Sequence, residues 1–262
     1  MSYLNQEKIM IDKSYSQVAL FFRSVLFLIL SNAAIIIYCF FVIAALPFPL
    51  RYRHAIIRHF FRLFMFMLKT ICLIDYEIEG IENVPKNRNG IVLSKHQSTW
   101  ETFFIPMYFH DPAAIAKREL LWIPFFGWGL AASKPITINR SSKTSAMQQI
   151  IKKGKEYLDA GRWIMVFPEG TRMPVGVVGH YKLGGARLAS ATGYPVVPVA
   201  HNAGIYWPKR KFIKNPGTIR VVIGPLIESK GKEAEDILNE AKTWIENTMT
   251  RINRLVDEPP GK

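Results

Sequence analysis

The stretch "GIVLSKHQSTWETFF", residues 90–104, changes its hydrophobic period in the middle. From Gly90 to Ser94 it is a short, β-branched apolar run bounded by glycine, the pattern of a buried strand. From Ser98 it becomes a polar start signal followed by aromatic residues, the pattern of a helix that begins near Thr99. A strand that stops where a helix starts is half of a βα unit, and in an open α/β sheet reactive groups collect at that junction. His96 stands there, with Glu101 five residues on.

On one continuous helix a spacing of five separates two side chains by about 140°. His96 and Glu101 therefore meet only if the histidine lies in the turn before the helix and the acid in its first turn, with Ser98 or Thr99 as cap. The same letters also spell a capping box, in which Ser98 accepts the Glu101 N–H while the carboxylate of Glu101 reaches back. Spacing alone leaves both readings open.

Working outward, short β-branched runs alternate with helical periods after Asp75. The expected strands are "DYEIEGI", "GIVLS", "AAIAK", "PITINR", "WIMVF", "PVVPVA" and "IRVVIG", and helices should begin near Thr99, Thr144, Lys182 and Lys232. Residues 144–160 place Met147, Ile150, Ile151, Gly154 and Leu158 on one stripe; residues 232–253 do the same with Leu238, Ala241, Ile245, Met249 and Ile252. The expected fold is α/β: a mostly parallel mixed sheet of about seven strands with helices on both faces, preceded by an N-terminal hydrophobic helix and a basic amphipathic helix. The boundary between the two parts falls near residue 70.

The hydrophobic helix is read from residues 24–50, "SVLFLILSNAAIIIYCFFVIAALPFPL", which carry no charged side chain. That exceeds the roughly 20 residues needed to cross a hydrocarbon core of about 30 Å. It is too long for a secretory signal core and lacks a following small-residue cleavage site, so it reads as a retained anchor. Pro47 and Pro49 should end it near Leu46. In "RYRHAIIRHFFRLFMFMLKTICLI", Arg51, Arg58, Arg62 and Lys69 share one helical face and Ile57, Phe60, Phe61, Phe64 and Met67 take the rest. Such a helix suits a lipid interface with anionic headgroups; the competing reading is a solvated face on a helix packed against the main domain. The positive-inside rule puts the following domain in the cytoplasm. Whether the first helix spans the bilayer or folds back as a hairpin with the second is left open.

The chain is 49% hydrophobic with a formal charge of +14, which implies a membrane and an acidic partner without choosing among nucleic acid, anionic lipid and phosphorylated substrate. Cys39 and Cys72 each lie in apolar stretches with no zinc or redox spacing, His54 and His59 belong to the basic helix, and His110, His180 and His201 have no acid at ligand spacing, so no metal site and no cofactor are expected.

A second polar strand end occurs in "VFPEGTRMP", residues 166–174. Gly170 would let backbone N–H groups approach an anion, Thr171 adds a hydroxyl, and Arg172 offers a planar fork suited to phosphate. Glu169 either joins that site or simply receives backbone N–H groups. Arg140 in "PITINRSS" and Lys182 in "HYKLGGARLA" supply further cations. The run "LLWIPFFGWGLAA", residues 120–132, is too aromatic and glycine-broken for a simple amphipathic helix and reads as acyl-tunnel wall, bilayer contact or packed core.

Taken in order, His96 to Glu101, "KRELLWIPFFGWGL…ITINR" ending at Arg140, "FPEGTR" at 167–172 and "VVPVAHNAG" at 196–204 resemble the glycerolipid acyltransferase family, specifically its bacterial 1-acyl-sn-glycerol-3-phosphate acyltransferases. The resemblance covers roughly residues 75–225, with glutamate at position 101 where the family commonly has aspartate. It implies transfer of an acyl group from acyl-CoA or acyl-carrier protein to the sn-2 hydroxyl of lysophosphatidic acid, at the inner membrane of a bacterium. His96 and Glu101 would then be catalytic, and Arg140, Glu169, Gly170, Thr171, Arg172 and Lys182 would bind substrate. Residues 1–70 would be anchor and interfacial helix, and residues 71–262 the acyltransferase domain. No G-x-S-x-G elbow is present, so no acyl-enzyme is expected.

Other readings are a different lysophospholipid acceptor, or a non-catalytic membrane-bound protein that binds an anionic ligand. Nucleic acid is disfavoured because the cations gather at strand ends and on the basic helix rather than along a groove-like stripe.

Overall fold

A computed structural model describes residues 15–138 and 143–257 of the chain. Each of the seven expected runs forms a strand: β1 (Ile74–Glu79), β2 (Ile91–Ser94), β3 (Ala113–Lys117), β4 (Ile136–Ile138), β5 (Ile164–Val166), β6 (Val196–His201) and β7 (Gly217–Ile223). They make one sheet in the order β1-β7-β6-β2-β5-β3-β4, parallel throughout except for the antiparallel β6–β7 pair. Strand β2 lies between β6 and β5, and all four of its residues are buried. This explains a continuous apolar run rather than an alternating one.

The pleat sends neighbouring residues to opposite faces. Val92, Met165, Val197 and Ile219 join one core, beneath α1 (Gln17–Ala44), α2 (Leu50–Cys72) and α3 (Trp100–Phe104). Ile91, Leu93, Ile164 and Val196 join the other, beneath α5 (Lys143–Asp159), α6 (Gly184–Thr192) and α8 (Ala234–Asp257). The α8 stripe Leu238, Ala241, Ile245, Met249 and Ile252 is buried in that second core as its spacing requires.

Two helices were not expected from the pattern. Residues Phe126–Ala132 form α4, and Ala203–Tyr206 form the short α7. Gly127 permits the first: a Cβ there would sit 2.3 Å from the Leu121 carbonyl oxygen, so the aromatic run folds back on itself only with glycine at that position.

Helix α1 stops at Ala44, two residues before the expected Leu46, and Pro49 stands at the N-cap of α2. The two helices pack side by side, with Phe27 against Phe64 (centroids 5.1 Å apart) and Tyr38 against Phe60 (5.4 Å). The pair is a helical hairpin, and α1 is long and apolar enough to cross a membrane. Phe60, Phe64 and Leu68 belong to the same core cluster as Val92, Trp100 and Val197, so the hairpin and the sheet share apolar packing.

The cations of α2 do not all face outward. Lys69 pairs with Asp75 (2.6 Å) and Arg58 lies 3.7 Å from Asp111, whereas Arg51 and Arg62 are exposed. Arg53 is buried and donates to the Ala132 carbonyl (2.9 Å), which joins α2 to α4. The helix combines a docked side with a free cationic one.

Candidate active site

Strand β2 ends at Ser94, and the chain then runs through Lys95, His96, Gln97 and Ser98 without regular structure before α3 starts at Trp100. His96 thus occupies the turn and Glu101 the first helical turn, the one arrangement in which the spacing brings them together. The His96 Nδ1–H donates to Glu101 Oε1 at 2.8 Å. Glu101 Oε1 also accepts the Gln97 N–H (2.9 Å) and the Ser98 N–H (2.8 Å). The carboxylate is therefore the imidazole's partner and the cap of the helix start together.

Half of the capping box forms. Ser98 Oγ does not cap Glu101: it donates to the Trp207 carbonyl (2.7 Å) and accepts the Trp100 N–H at 3.3 Å.

Glu101 is fully buried. Burial alone would push its carboxyl up, but the donors around it, the His96 ring and the Ser98 N–H among them, outweigh burial and hold it below the usual carboxylate range. It remains ionised at neutral pH. The His96 ring stacks on Phe167, with centroids 4.1 Å apart and planes within 15°, which fixes its tilt. With Nδ1 engaged, Nε2 is the nitrogen left for the cavity that His96 lines.

That cavity has a volume of about 1220 Å³. Its wall combines apolar side chains, among them Ile35 and Val42 of α1, Phe61 of α2 and Leu130 of α4, with cations, among them Arg58 of α2 and, around the Gly170–Thr171–Arg172 turn, Arg172, Lys182 and Lys209. A long apolar chain joined to a phosphate has this combination of chemistry.

The "FPEGTR" turn follows β5 and lies against the His96 loop: the Met173 N–H donates to the His96 carbonyl at 2.7 Å. Arg172 Nη1 donates to Thr99 Oγ1 (2.7 Å), which holds its guanidinium beside the start of α3. Lys182 approaches from the other side, its Nζ 2.7 Å from where a Gly170 Cβ would be.

Two expected roles change. The Gly170 N–H is engaged by the Phe167 carbonyl (3.0 Å), so it does not face an anion; the glycine instead supplies a φ of 65° and leaves space for the Lys182 ammonium. Of the two readings of Glu169, its position is that of an acceptor of backbone N–H groups and not of a substrate contact: it is absent from the cavity wall and buried. Its Oε1 accepts from Lys95 Nζ (2.7 Å) and its Oε2 from the His96 N–H (2.8 Å). Burial pushes the Glu169 carboxyl up while Lys95 draws it back. Thr171 lines the cavity, and Arg140 lies outside the described residues.

The structure also brings in residues that the pattern did not single out. Lys209, from "WPKRK" after α7, donates to Thr171 Oγ1 (3.1 Å) and to the Arg172 carbonyl (3.0 Å), so the Gly170–Thr171–Arg172 turn is flanked by lysines on both sides. The local run of cations was the available signal. His201, set aside in the sequence for want of a neighbouring acid, is buried with Nε2 3.9 Å from Glu101 Oε2; it donates from Nε2 to the Lys95 carbonyl (2.8 Å) and accepts the Ala203 N–H on Nδ1 (3.3 Å). Nothing local in sequence shows that contact, because β6 and the β2 end meet only through the sheet.

Burial holds His201 below the ordinary imidazole range, so the folded protein keeps it neutral. The unfolded chain then takes up the proton first: His201's contribution to stability is complete above about pH 6.5 and is lost as pH falls. The melting temperature is expected to fall between pH 7.5 and 5.5, and His201→Gln, which cannot protonate, to be less stable at pH 7.5 but flatter across that range. An equally steep profile in the variant would contradict this assignment. Among the described residues no group of three or more His, Cys, Asp or Glu side chains gathers as a metal site.

Comparison with known proteins gives the same family by three routes. The Acyltransferase family model matches residues 75–202. The chain is 45% identical over 239 residues to the 1-acyl-sn-glycerol-3-phosphate acyltransferase of Pseudomonas aeruginosa, covering 89% of this chain and 92% of the relative. It is 32% identical over 153 residues to the protein of the same name from Borreliella burgdorferi, covering 58% and 61%. The crystal structure of the 1-acyl-sn-glycerophosphate acyltransferase PlsC from Thermotoga maritima superposes with a TM-score of 0.76 at 27% identity, covering 94% of this chain and 99% of that one.

Proposed function

The chain belongs to the 1-acyl-sn-glycerol-3-phosphate acyltransferase family, and on that premise we propose that it moves a fatty acyl group from a thioester to the sn-2 hydroxyl of lysophosphatidic acid. The observation that carries the reading is the 2.8 Å contact between His96 Nδ1 and a buried, ionised Glu101 at the edge of a cavity whose wall combines apolar side chains with cations.

An alcohol attacks a thioester only when a base relieves it of its proton. In the proposed step the sn-2 oxygen bonds to the thioester carbonyl carbon while His96 Nε2 takes its proton. Glu101 stabilises the resulting imidazolium and fixes the tautomer. The C–S bond then breaks, His96 returns the proton to the departing sulfur, and phosphatidic acid and a free thiol remain. The hydroxyl oxygen is the nucleophile, so no acyl-enzyme is needed. Arg172, Lys182 and Lys209 hold the acceptor phosphate, with Thr171 as an added hydroxyl. Arg140 keeps its expected part in phosphate binding. The acyl chain lies along the wall made by α1, α2 and α4.

Acyl-CoA and acyl-carrier protein share the thioester chemistry. The proposed setting is the inner membrane of a bacterium, with α1 in the lipid, the exposed Arg51 and Arg62 against anionic headgroups and the site on the cytoplasmic side. The test is transfer from radiolabelled acyl-CoA and, separately, acyl-carrier protein to lysophosphatidic acid by the full chain in membranes. Labelled phosphatidic acid from either donor supports the reading and names the donor; none from both rejects it. In the same assay Lys209→Met is expected to raise the KM for lysophosphatidic acid about tenfold, the worth of one charge-assisted contact, and to leave the donor KM unchanged. An unchanged acceptor KM would remove Lys209 from the phosphate site.

A further inference from the structure

We propose that Glu246, on the C-terminal helix α8, is a positioning residue for His96, acting through a buried relay of Lys95 and Glu169. The inference rests on the acyltransferase reading and extends it to a helix beyond the family-matched segment, which ends at residue 202.

The relay follows from the contacts of one lysine. Lys95 precedes His96, and its side chain is 1% exposed, so its ammonium must find its counter-charges inside the protein. It finds two: Glu169 Oε1 at 2.7 Å and Glu246 Oε1 at 2.8 Å, with the Val177 carbonyl at 3.3 Å as a further acceptor. Glu246 is itself oriented by Tyr181, whose hydroxyl donates to the same oxygen at 2.7 Å.

The other oxygen of Glu169 accepts the His96 N–H at 2.8 Å. The carboxylate that holds the catalytic loop by its backbone is thus itself held by Lys95, and Lys95 is held by Glu246. Strand β2, the "FPEGTR" turn and α8 meet at this point, while the Met173 N–H closes the loop from the other side on the His96 carbonyl (2.7 Å). Without Glu246, the ammonium has one carboxylate instead of two and recentres on it. Glu169 is drawn with it, and its other oxygen turns away from the His96 N–H, which loses a fixed acceptor. Base catalysis depends on sub-ångström placement of the imidazole, so the cost falls on turnover. Acceptor binding, which uses Arg172, Lys182 and Lys209 on the cavity side, is spared.

The test is steady-state kinetics of Glu246→Gln and Glu246→Asp in the full chain in membranes, with the melting temperature measured alongside. Glu246→Gln is expected to lower kcat about tenfold with the KM for lysophosphatidic acid within twofold of wild type, and Glu246→Asp to recover most of that loss. Tyr181→Phe, which retains the ion pairs, should lower kcat about threefold. A Glu246→Gln protein with wild-type kcat, or one whose lost activity is matched by loss of folded protein and is not recovered by aspartate, overturns the relay. Failure of the underlying reading is distinguishable: wild type itself would then form no phosphatidic acid.

Discussion

His96→Ala is expected to lower phosphatidic acid formation by on the order of 10³-fold while the protein stays folded. The magnitude is that of a positioned general base, about 10² to 10⁴. The fold should tolerate the change because the His96 ring contributes little to either core: its backbone, not its side chain, carries the loop contacts to Glu169 and to Met173. Alanine keeps both. The variant should therefore show wild-type expression, a melting temperature within a few degrees of wild type and an unchanged KM for lysophosphatidic acid. A variant retaining more than a tenth of wild-type turnover would remove His96 from the chemistry.

Glu101→Gln is expected to lose activity and stability together. The amide is nearly isosteric but has one acceptor oxygen and two donor hydrogens. In the native loop the carboxylate faces the His96 Nδ1–H, the Gln97 N–H and the Ser98 N–H. All three reach Oε1, while Oε2 faces the Ser98 N–H (3.2 Å) and His201 Nε2 (3.9 Å); a glutamine oxygen in the Oε1 place therefore aims its NH2 at those donors, and the flipped amide turns its NH2 on the imidazole and both backbone N–H groups in a fully buried place. Turnover should fall about 10² to 10³-fold, and stability by about 1 to 3 kcal/mol, the cost of an unsatisfied buried donor. The double variant His96→Ala with Glu101→Gln should be no slower than the worse single one, because the two residues act as a unit. Additive losses in the double variant would mean that the acid acts on something other than the imidazole.

Much of the fold was legible because the strands are short apolar runs separated by glycine, proline or polar turns, and each of the seven lies where its run predicts. The hairpin of α1 and α2 was not decided by sequence, because composition records that a helix is apolar and not what covers it. Helix α4 escaped because an aromatic run broken by glycines has no dominant period. At the site, His96 and Glu101 could be placed together from a spacing, since both belong to one βα junction. Glu169 could not be decided between a substrate contact and an acceptor of backbone N–H groups, because its carboxylate points inward to Lys95, a partner 74 residues away in the chain. Lys209, His201 and Glu246 reach the site from the loop after α7, from β6 and from α8 in that order, so only the folded sheet brings them near His96.

The most direct measurement of direct, His96-mediated transfer is a single-turnover experiment with the wild-type protein in vesicles. Enzyme in excess over a radiolabelled acyl thioester is mixed with lysophosphatidic acid, quenched at intervals, and the label is counted in lipid and on denatured protein. The expected result is labelled phosphatidic acid formed without a lag, with no label retained by the protein at any time. Label bound to the protein before it appears in phosphatidic acid, or no labelled phosphatidic acid with either donor, would contradict the account.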